Sequence, residues 1–596
     1  MKEKLKALVD RALPKILAEF HISDSPKSIS YDMTLPKIKA HGDLSVNLAF
    51  QIGRLAKKNP FDVAQICKSV LNQIISEHPS SKQWISEINV EKPGFINFKL
   101  AEESIAEILL RIKQENETFG RAQVGAGTKV MIEFVSANPT GPLTIAHGRQ
   151  AALGDALARI LKAVGYSVHT EFYLNDLGRQ VRLLGESLWV RYQELFGKSE
   201  PLPEDGYQGA YLMDVAKSLK AEKNDQLFKA GKEKSIQEVT SYAVNSILAG
   251  IKNDLKDLDV TFDQFFSERS LTDEKLIDGV LKTLKEKGLI YETEGALWFK
   301  STTYGDDKDR VLRKQTGEYT YLMPDIAYHQ TKFNRGFQKL INLWGPDHHG
   351  YIPRLKAACQ ALGYQPKQLE VLIVQLTTLY RKGEPVKMST RAGEFVTLRE
   401  LMDEVGVDAT RFFFLMRKID SHLDFDLELA KQKSDENPVY YVQYAHARIS
   451  SILEFASSLP HRGYPDPKEK IHKMGLRGGQ RPTKQSKTEI ASLTSFARND
   501  GEVDLSLIRE EEALVLIKKM SEFSEVLTQA AEHSEPYRLV DYLRELAALF
   551  HKFYAQHRIV SDDEALTKAR LLITDCTRVV LRNGLSLLGV SAPSKM

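Results

Sequence analysis

Cysteine is scarce in this sequence. The 596 residues include three, Cys67, Cys359 and Cys576, and no two of them form a Cys-x-x-Cys pair. This wide spacing argues against a disulfide framework and against a structural zinc site, and it suits a reducing cytoplasm. We therefore expect a cytoplasmic protein with no protein-bound metal.

Long apolar runs are also missing from the sequence. None reaches the roughly 20 residues that a membrane-spanning helix requires. The amphipathic segment 1–20 contains Glu3, Asp10 and Glu19 but no continuous apolar stretch, which argues against both a transit peptide and a signal peptide. Internal repeats are absent as well. We expect no association with a membrane.

Neither sign of charge is in clear excess. The chain has 82 Lys and Arg against 79 Asp and Glu, a formal net charge of +3. A nucleic-acid partner would therefore be held by local basic patches and not by a global field. The 42% hydrophobic and 27% charged content is that of an ordinary globular protein. Since 596 residues exceed what one core can organise, we expect three or four domains.

The sequence pattern changes three times along the chain. Residues 1–115 mix helical periodicity with strand-like alternation, which predicts an α+β domain. Residues 125–436 alternate buried strands with helices and contain a charged, helical insertion at about 190–300. Residues 437–596 read as almost wholly helical, apart from a basic, Gly- and Pro-rich loop at 461–488.

Two β-α-β units are predicted in the middle region. In the first, "VMIEFV" is a strand, apolar residues from Ile145 to Val164 follow helical spacing, Gly165 is the C-cap, and "SVHTEFYL" is the next strand. In the second, "KLINLW" and "LEVLIVQL" are strands on either side of the helix "YIPRLKAACQALG". The polar stretch "YRKGEPVKMSTRAGEFVTL" follows as a loop. This order predicts a parallel α/β sheet.

The stretch "NPTGPLTIAHG" joins the first strand to the first helix. Ligands of open parallel sheets bind beyond the C-terminal ends of the strands, where this segment lies. Gly141 and Pro142 shape a tight turn, the helix start offers unpaired N–H groups for a phosphate, and His147 points into that site. The spacing alone does not distinguish this phosphate site from a capped helix with a surface histidine.

The stretch "KMST", Lys387 to Thr390, follows the last strand of the second unit. A flexible lysine there could reach phosphate oxygens from the side opposite His147, because lysine acts as a mobile point charge for phosphate. A lone Lys-Met-Ser is usually just a solvated surface lysine.

Together the two loops resemble the His-Ile-Gly-His and Lys-Met-Ser-Lys signatures of class I aminoacyl-tRNA synthetases. Longer stretches resemble the bacterial type of arginyl-tRNA synthetase over nearly the whole chain; among them are "GDLSVNLAFQIGRLAKKNP", "EFVSANPTGPL", "FYLNDLGRQVRLLG", "GDDKDRVLRKQTGEYTYLMPDIAYH", "INLWGPDHHGYIPRLKAA" and "NPVYYVQYAHARISSIL". The resemblance implies a doubly wound, Rossmann-like catalytic domain. In the chain, this domain is preceded by an N-terminal α+β domain that binds the corner of tRNA and followed by a C-terminal all-α anticodon-binding domain.

The resemblance also implies an activity. Arginine and ATP form arginyl-adenylate and pyrophosphate, and the arginyl group then moves to the 2′-hydroxyl of the terminal adenosine of tRNA. Bound tRNA is needed even for the first step. The implied partners are ATP with its Mg²⁺, L-arginine and the arginine tRNA, and we expect a monomer.

Site residues carry over from the family motifs position by position. The catalytic set is His147, Lys387, Ser389 and Thr144. The ATP-binding set is Gly141, Ala146, His147, Gly345, Asp347, His348 and Lys387. The arginine-binding set is Glu133, Asn138, Tyr321 and Asp325, in which the two carboxylates suit a forked guanidinium. Without the resemblance, Glu133 would be a solvent-facing strand residue, and Asp325 is also consistent with a helix N-cap.

The implied tRNA contacts lie outside the catalytic domain. In the N-terminal domain they are Phe95 and Asn97, where an aromatic ring can stack on an unpaired base. In the helical tail they are Tyr440, Tyr444 and Arg448, at helical spacing. Core packing is the alternative role for Phe95 and for the tyrosines.

Three positions depart from the family signatures. Thr144 replaces the first histidine, Ala146 replaces the glycine, and Thr390 replaces the final lysine. The basic loop 461–488 is also longer than expected, which fits a tolerated surface insertion. These departures leave open a catalytically impaired, synthetase-like tRNA-binding protein. A synthetase for another amino acid, such as cysteine, lacks support because no metal-ligand cluster is present.

Overall fold

The computed structural model describes residues 2–23, 25–34, 36, 41–77, 84–273, 275–386, 396–458 and 503–596. The chain divides into two compact units. The first unit comprises Met1–Phe119, Arg448–Phe523 and Ala548–Val580, and the second comprises Gly120–Ala447, Ser524–Ala547 and Leu581–Met596. Among the described residues, none of the helices is long and apolar enough to cross a membrane.

The helices and strands of the described residues have the following bounds. The helices are α1 Lys2–Glu19, α2 Leu48–Ala56, α3 Pro60–Glu77, α4 Glu102–Glu115, α5 Ile145–Ala163, α6 Gly178–Glu194, α7 Tyr211–Lys223, α8 Gln226–Ala230, α9 Lys232–Asp257, α10 Arg269–Asp273, α11 Leu276–Glu286, α12 Leu322–Asn334, α13 Ile352–Leu362, α14 Leu398–Val405, α15 Val407–Leu415, α16 Leu427–Lys431, α17 Pro438–Ser457, α18 Glu511–Ser521, α19 Phe523–Glu532, α20 Tyr537–Gln556 and α21 Glu564–Leu587. The strands are β1 Met33–Thr34, β2 Leu44–Val46, β3 Ile85–Glu91, β4 Phe95–Leu100, β5 Lys129–Glu133, β6 Ser167–Leu174, β7 Gln264–Ser267, β8 Ile290–Thr293, β9 Ala296–Phe299, β10 Arg310–Arg313, β11 Lys339–Trp344, β12 Leu369–Ile373, β13 Thr377–Arg381, β14 Glu384–Pro385 and β15 Leu423–Asp426.

The first unit begins with the predicted α+β fold. Strands β1, β2, β4 and β3 form an antiparallel sheet in that order. Helices α1 and α3 pack on it through apolar side chains such as Leu13, Ile16 and Leu71, and together they form one buried core with Phe98 of β4. The described part of the C-terminal region is helical, as the sequence predicts. The loop 461–488 lies outside the described residues.

A five-stranded parallel sheet organises the second unit. Its order is β12-β11-β5-β6-β7, so the chain starts in the middle, builds one side, and returns to build the other. This is the doubly wound arrangement predicted from the two β-α-β units. The predicted strands "KLINLW" and "SVHTEFYL" coincide with β11 and β6, and the predicted helix after "VMIEFV" is α5. The C-cap of that helix is Val164, and Gly165, the predicted C-cap, follows it with φ +92°.

Residues 190–300, expected to be helical, also contain strands. β7 joins the edge of the parallel sheet, and β8 and β9 form an antiparallel sheet with β10. The stretch "YRKGEPVKMSTRAGEFVTL", expected to be a loop, likewise contributes to β13 and β14, which form a small sheet with β15. The prediction was wrong in both places because these strands have five residues or fewer. Alternation over so few residues is too short to recognise.

Helix α5 is buried along almost its whole length, and two of its glycines allow close packing. A Cβ atom at Gly154 would overlap the ring of Phe134, which follows β5. A Cβ atom at Gly148 would meet the side chains of Leu398 and Phe414. The helix that follows the central strand therefore lies unusually close to its neighbours.

Gly154→Ala is expected to destabilise the second unit by about 1–2 kcal/mol, because overpacking of a core outweighs the gain in helix propensity. The matched control is Gly279→Ala in α11, where a Cβ meets no atom within 4 Å. That variant should be stabilised by up to about 1 kcal/mol. Calorimetric unfolding of both variants measures the difference, and equal shifts for the two would contradict close packing at Gly154.

Candidate active site

The chain order of the parallel sheet reverses between β5 and β11. In sheets of this type the crevice beyond the carboxyl ends of the two strands at the reversal is where ligands bind. The segment that leads to His147 follows β5, and the segment that contains Gly345, Asp347 and His348 follows β11. The fold therefore places the segments that follow β5 and β11 at the same edge of the sheet.

The turn that follows β5 has an unusual backbone. Val135 and Ser136 have φ values of 68° and 41°. A β-branched residue at positive φ is a genuine outlier, and such strain persists only where surrounding contacts impose it. Here the Ser136 hydroxyl donates to Glu133 Oε1 at 3.1 Å and accepts the backbone N–H of Tyr173 at 3.1 Å. The strained turn thus fixes one oxygen of Glu133.

The other oxygen of Glu133 pairs with a buried lysine. Lys332 of α12 is fully buried, and its Nζ donates to Glu133 Oε2 at 2.5 Å and to Asn342 Oδ1 at 3.3 Å. Asn342 lies beside Glu133 on β11, and its amide is 2.8 Å from His329 Nε2. Glu133 is therefore not the solvent-facing strand residue that its position alone allowed, but a buried carboxylate whose two oxygens both have partners.

An acidic pocket surrounds Tyr173 on β6. Burial raises the pKa of Tyr173, and the nearby carboxylates of Glu268, Asp325, Glu133 and Asp176 raise it further. Its ring packs against those of Tyr328 and Phe266, at centroid distances of 4.5 Å and 6.2 Å. Aromatic rings with several carboxylates nearby suit a ligand that is both planar and cationic.

Among the carboxyl groups of this pocket, Asp325 has the pKa that departs most from its ordinary value. Burial raises its pKa to about 7, with like-charged Glu133 and Glu268 adding to the effect and Lys332 opposing it. Burial and Asp176 raise the pKa of Glu268 as well. The alternative role of Asp325 as a helix N-cap was wrong, because Tyr321 occupies the N-cap of α12 and Asp325 lies inside the first turn.

Thr144 and His147 form the start of α5. Thr144 is the N-cap, with extended backbone angles, and its backbone N–H donates to His147 Nδ1 at 3.2 Å. The Thr144 hydroxyl lies 3.1 Å from the same nitrogen. Burial lowers the pKa of His147 to about 4. The imidazole is therefore neutral at pH 7, and because Nδ1 accepts a hydrogen bond from the Thr144 N–H, the single ring hydrogen lies on Nε2.

The other residues expected to contact ATP line the same edge. A Cβ at Gly141 would approach the hydroxyl of Tyr211 to 3.3 Å, so this turn has no room for a larger residue without movement. Gly345 and Ala146 are half-buried, whereas Asp347 and His348 are exposed and lie 3.4 Å apart. Lys387 and Ser389 lie outside the described residues.

Two predicted arginine ligands are solvent-accessible. Tyr321 is 77% exposed at the N-cap of α12. The Asn138 amide donates to Gln180 Oε1 at 2.7 Å, on the first turn of α6. Within the described ranges, no group of three or more His, Cys, Asp and Glu converges as a metal ion would need.

The predicted tRNA contacts differ in burial. Phe95 is 36% exposed and packs edge-on against Phe50, with ring centroids 5.0 Å apart. Asn97 is 2% exposed, so its side chain faces the interior of the first unit. On α17, Tyr440 and Tyr444 are half-buried and stack on each other, and half-buried Arg448 lies over the ring of Tyr554. These tyrosines are therefore only partly core residues.

Sequence reasoning missed several residues of this site: Tyr173, Glu268 and Lys332. Lys332 follows Asp325 and His329 at helical i, i+4, i+7 spacing, so the three share one face of α12. This polar stripe lies among the apolar residues Leu322, Met323, Ile326, Ala327 and Phe333 of the same helix, and it was the signal available in the sequence. Glu268 follows β7, a strand that the sequence did not reveal.

Three family profiles match the chain. The profile "tRNA synthetases class I (R), catalytic domain" matches residues 106–421. "Arginyl tRNA synthetase N terminal domain" matches residues 3–100, and "DALR anticodon binding domain" matches residues 483–596. The architecture is therefore the three-domain one that the sequence predicts, with a class I catalytic domain between an N-terminal domain and a helical one.

Individual proteins are similar over the full length. The Arginine--tRNA ligase of Syntrophotalea carbinolica is 44% identical over 100% of both chains, and that of Geobacillus thermodenitrificans is 44% identical over 100% of this chain and 99% of its own. A structure named as an arginyl-tRNA synthetase from Campylobacter jejuni is 33% identical with a TM-score of 0.71, over 83% of this chain and 100% of that one. The Thermus thermophilus arginyl-tRNA synthetase, 22% identical over 98% of this chain and 99% of that one, has the same fold with a TM-score of 0.72. The chain belongs to the arginyl-tRNA synthetase family.

Proposed function

We propose that the crevice between β5 and β11 is where this chain charges tRNA with L-arginine, the activity for which its curated relatives are named. In the first step a carboxylate oxygen of arginine attacks the α-phosphorus of ATP, and pyrophosphate leaves. In the second step the 2′-hydroxyl of the terminal adenosine attacks the arginyl carbonyl carbon, and AMP leaves. The observation that carries this assignment is the acidic pocket at the same sheet edge as the start of α5.

The acidic pocket selects the substrate side chain. A guanidinium is planar, always cationic, and presents a fork of N–H donors, for which one carboxylate accepts two hydrogen bonds. We assign this role to Asp325, with Glu133, Tyr321 and Glu268 lining the pocket and Asn138 holding the backbone end of arginine. A lysine ammonium is compact and cannot fill the same forked site, so lysine is a poor substrate.

The start of α5 and the second signature bind the triphosphate. The unpaired N–H groups of a helix N-terminus favour phosphate, and a neutral imidazole donates to it through Nε2. We assign charge stabilisation to His147, Thr144, Lys387 and Ser389. The adenosine side of ATP lies against Gly141, Ala146, Gly345, Asp347 and His348. Mg²⁺ arrives with ATP as part of the substrate.

The remaining contacts are with tRNA. We assign Phe95 and Asn97 to the corner of the molecule and Tyr440, Tyr444 and Arg448 to its anticodon arm. Because Asn97 is buried, it acts by shaping the surface beside Phe95. The domain bounds that we propose are 1–115, 125–436 and 437–596. The three buried free cysteines fit a cytoplasmic enzyme, and we propose that it acts as a monomer.

Pyrophosphate exchange tests the assigned function. Purified protein is expected to exchange labelled pyrophosphate into ATP when arginine and arginine tRNA are both present. Omission of either, or replacement of arginine by lysine, is expected to reduce the exchange to background. Full exchange with arginine alone would remove the requirement for tRNA. An absence of exchange under every condition, together with retained tRNA binding in a filter assay, would instead favour the impaired tRNA-binding protein.

A further inference from the structure

Lys332 is a fully buried cation in contact with the acidic pocket. Its Nζ donates to Glu133 Oε2 at 2.5 Å and to Asn342 Oδ1 at 3.3 Å. The same nitrogen lies 4.1 Å from the centroid of the Tyr328 ring, and the face of an aromatic ring attracts a cation. The ammonium therefore has a carboxylate, an amide oxygen and an aromatic ring as partners.

Two of these partners belong to the pocket itself. Glu133 is one of its carboxylates, and the Tyr328 ring packs against the ring of Tyr173 at a centroid distance of 4.5 Å. The second oxygen of Glu133 accepts the Ser136 hydroxyl at 3.1 Å, so both oxygens of this carboxylate are held in place. Contact is therefore continuous from the Lys332 ammonium, through the Tyr328 ring, to Tyr173.

The charge of Lys332 also acts on Asp325. The two residues are seven positions apart on α12, which separates their Cα atoms by about 10 Å along the helix axis. In the described part of the chain, every hydrogen bond of Lys332 goes to Glu133 or Asn342. Burial raises the pKa of Asp325, and Lys332 lowers it through the low dielectric of the interior. Lys332 thus compensates Glu133 directly and favours the ionised form of Asp325 without pairing with it.

The stability of a buried ion pair gives little reason for a lysine at this position. Desolvation offsets most of the attraction between such charges, and an apolar pair of the same volume is often as stable. The charge has a larger effect on the pocket. Carboxylates crowded into a low-dielectric site repel one another and take up protons, and a protonated acid cannot accept a bidentate guanidinium. A fixed cation compensates one of the negative charges that cause this repulsion.

We propose that Lys332 is a positioning residue for arginine: its ammonium holds Glu133 in the wall of the pocket and leaves Asp325 as the carboxylate that pairs with the substrate guanidinium. The inference rests on the proposed function, in which this pocket binds the arginine side chain. None of the described partners of Lys332 belongs to the set assigned to ATP, so ATP binding is expected to be independent of it.

Titratable groups from several elements face Lys332 or Asp325. Besides Glu133, they are Glu171 and Tyr173 of β6, Glu268 after β7, Tyr328 and His329 of α12, Tyr351 before α13, and Cys359 of α13. Burial raises the pKa of the three tyrosines well above their usual range and that of the cysteine to about 12. Burial also lowers the pKa of the histidine well below its usual range. None of these five groups should change its charge between pH 6 and pH 9.

The carboxyl groups of this set differ in how they titrate. Burial would raise the pKa of Glu171, but hydrogen bonds from His169 and Arg335 lower it to about 2. Burial raises the pKa of Glu268, and it raises that of Asp325 to about 7. An inflection in arginine binding that disappears in Asp325→Asn therefore belongs to Asp325, and its position reports the charge of Lys332.

The test compares Lys332→Gln and Lys332→Arg with the matched control Arg411→Gln. Glutamine removes the charge but keeps an N–H donor for Glu133, whereas arginine keeps the charge. Arg411 is likewise fully buried with a carboxylate partner, Asp155, which lies on α5 outside the pocket. Pyrophosphate exchange at saturating tRNA, measured from pH 6 to pH 9 and normalised to folded protein, gives KM for arginine and KM for ATP.

Lys332→Gln is expected to raise KM for arginine about fivefold at pH 7 and to move its inflection upward by about one pH unit, on the scale of one lost nearby charge. At pH 9 the carboxyl of Asp325 is ionised in both proteins, so their KM values for arginine should converge. KM for ATP should stay within about twofold of its original value, because the binding of ATP is not altered. Lys332→Arg should keep the original inflection, and Arg411→Gln should lower only the unfolding temperature.

The proposal is overturned if Lys332→Gln keeps the original inflection, or if Arg411→Gln or Lys332→Arg shifts it equally. If Lys332→Gln does not fold, Glu133→Gln decides. That variant removes a like charge that acts on Asp325 while the ammonium stays, so the inflection should move downward. An unchanged or higher inflection there would also overturn the proposal. A parent protein without arginine-dependent exchange would instead contradict the proposed function, on which the inference rests.

Discussion

Asp325→Asn is expected to raise KM for arginine by about ten- to hundredfold and to leave KM for ATP nearly unchanged. A hydrogen bond to a charged group contributes roughly 1.5–3 kcal/mol, which is the scale of this effect. Asparagine keeps the shape of the side chain but replaces one acceptor oxygen with a donor that faces a cation. Exchange kinetics at saturating tRNA, with each substrate varied in turn, measure the effect.

The pH dependence of the same variant separates a ligand from a structural residue. The carboxyl of Asp325 has a pKa of about 7 in the folded protein, above the ordinary value of about 3.9. The protonated form is therefore favoured in the folded protein, and ionisation of Asp325 removes stability as the pH rises from about 4 to about 7. Asparagine mimics the protonated form, so the variant should unfold no earlier than the parent at pH 8.

Arginine binding to the parent protein should then improve as the pH rises. The guanidinium requires the ionised carboxylate, so KM for arginine is expected to fall as the pH increases from about 6 to about 8, with an inflection near the pKa of Asp325. In Asp325→Asn that inflection should disappear. If the variant loses stability but keeps the parent KM for arginine and its pH profile, then Asp325 has only a structural role.

The sequence predicted the helices and strands that have a clear apolar periodicity over many consecutive residues. β6, β11 and α5 appear where apolar periodicity places them, because long buried elements need continuous apolar residues. β7 and β14 were missed because their short length provides too little pattern. β7 owes its place in the structure to pairing with β6, which is distant in the chain, whereas β14 forms a short hairpin with β13.

Contacts in the site between residues close in the chain could be predicted from the sequence, whereas contacts between distant residues could not. The interaction of Thr144 with His147 spans three residues and lies at the start of a helix, so it could have been inferred from helix-capping rules. The pairing of Lys332 with Glu133 spans 199 residues and has no local signal. Hydrophobic patterning predicts that charged side chains lie at the surface. Lys332 and Arg149 are exceptions: both are fully buried, where carboxylate or carbonyl groups accept their hydrogen bonds.

His147→Ala is expected to slow adenylate formation by about 10²–10³, the loss seen when one preorganised donor to a developing anion is removed. The reason lies in how α5 begins. Nδ1 of His147 accepts a hydrogen bond from the Thr144 N–H, which leaves Nε2–H as a neutral donor. Low pKa keeps the ring neutral, so its contribution should not change between pH 6 and pH 8. Single-turnover adenylate formation at saturating tRNA measures the loss.

Thr144→Ala should be far milder, within about fivefold, because the backbone N–H that orients His147 is retained and only the N-cap hydroxyl is lost. That hydroxyl is worth about 0.5–2 kcal/mol of stability at a helix start. Thr144→His should be neutral or slightly faster. His147→Asn is the discriminating control, because its Oδ1 keeps the acceptor for Thr144 but nothing replaces Nε2–H. Asparagine should therefore be as slow as alanine, whereas His147→Gln, with an amide N–H near the Nε2 position, should recover part of the rate. If asparagine restores the rate, the histidine serves to cap α5 and the phosphate donor lies elsewhere.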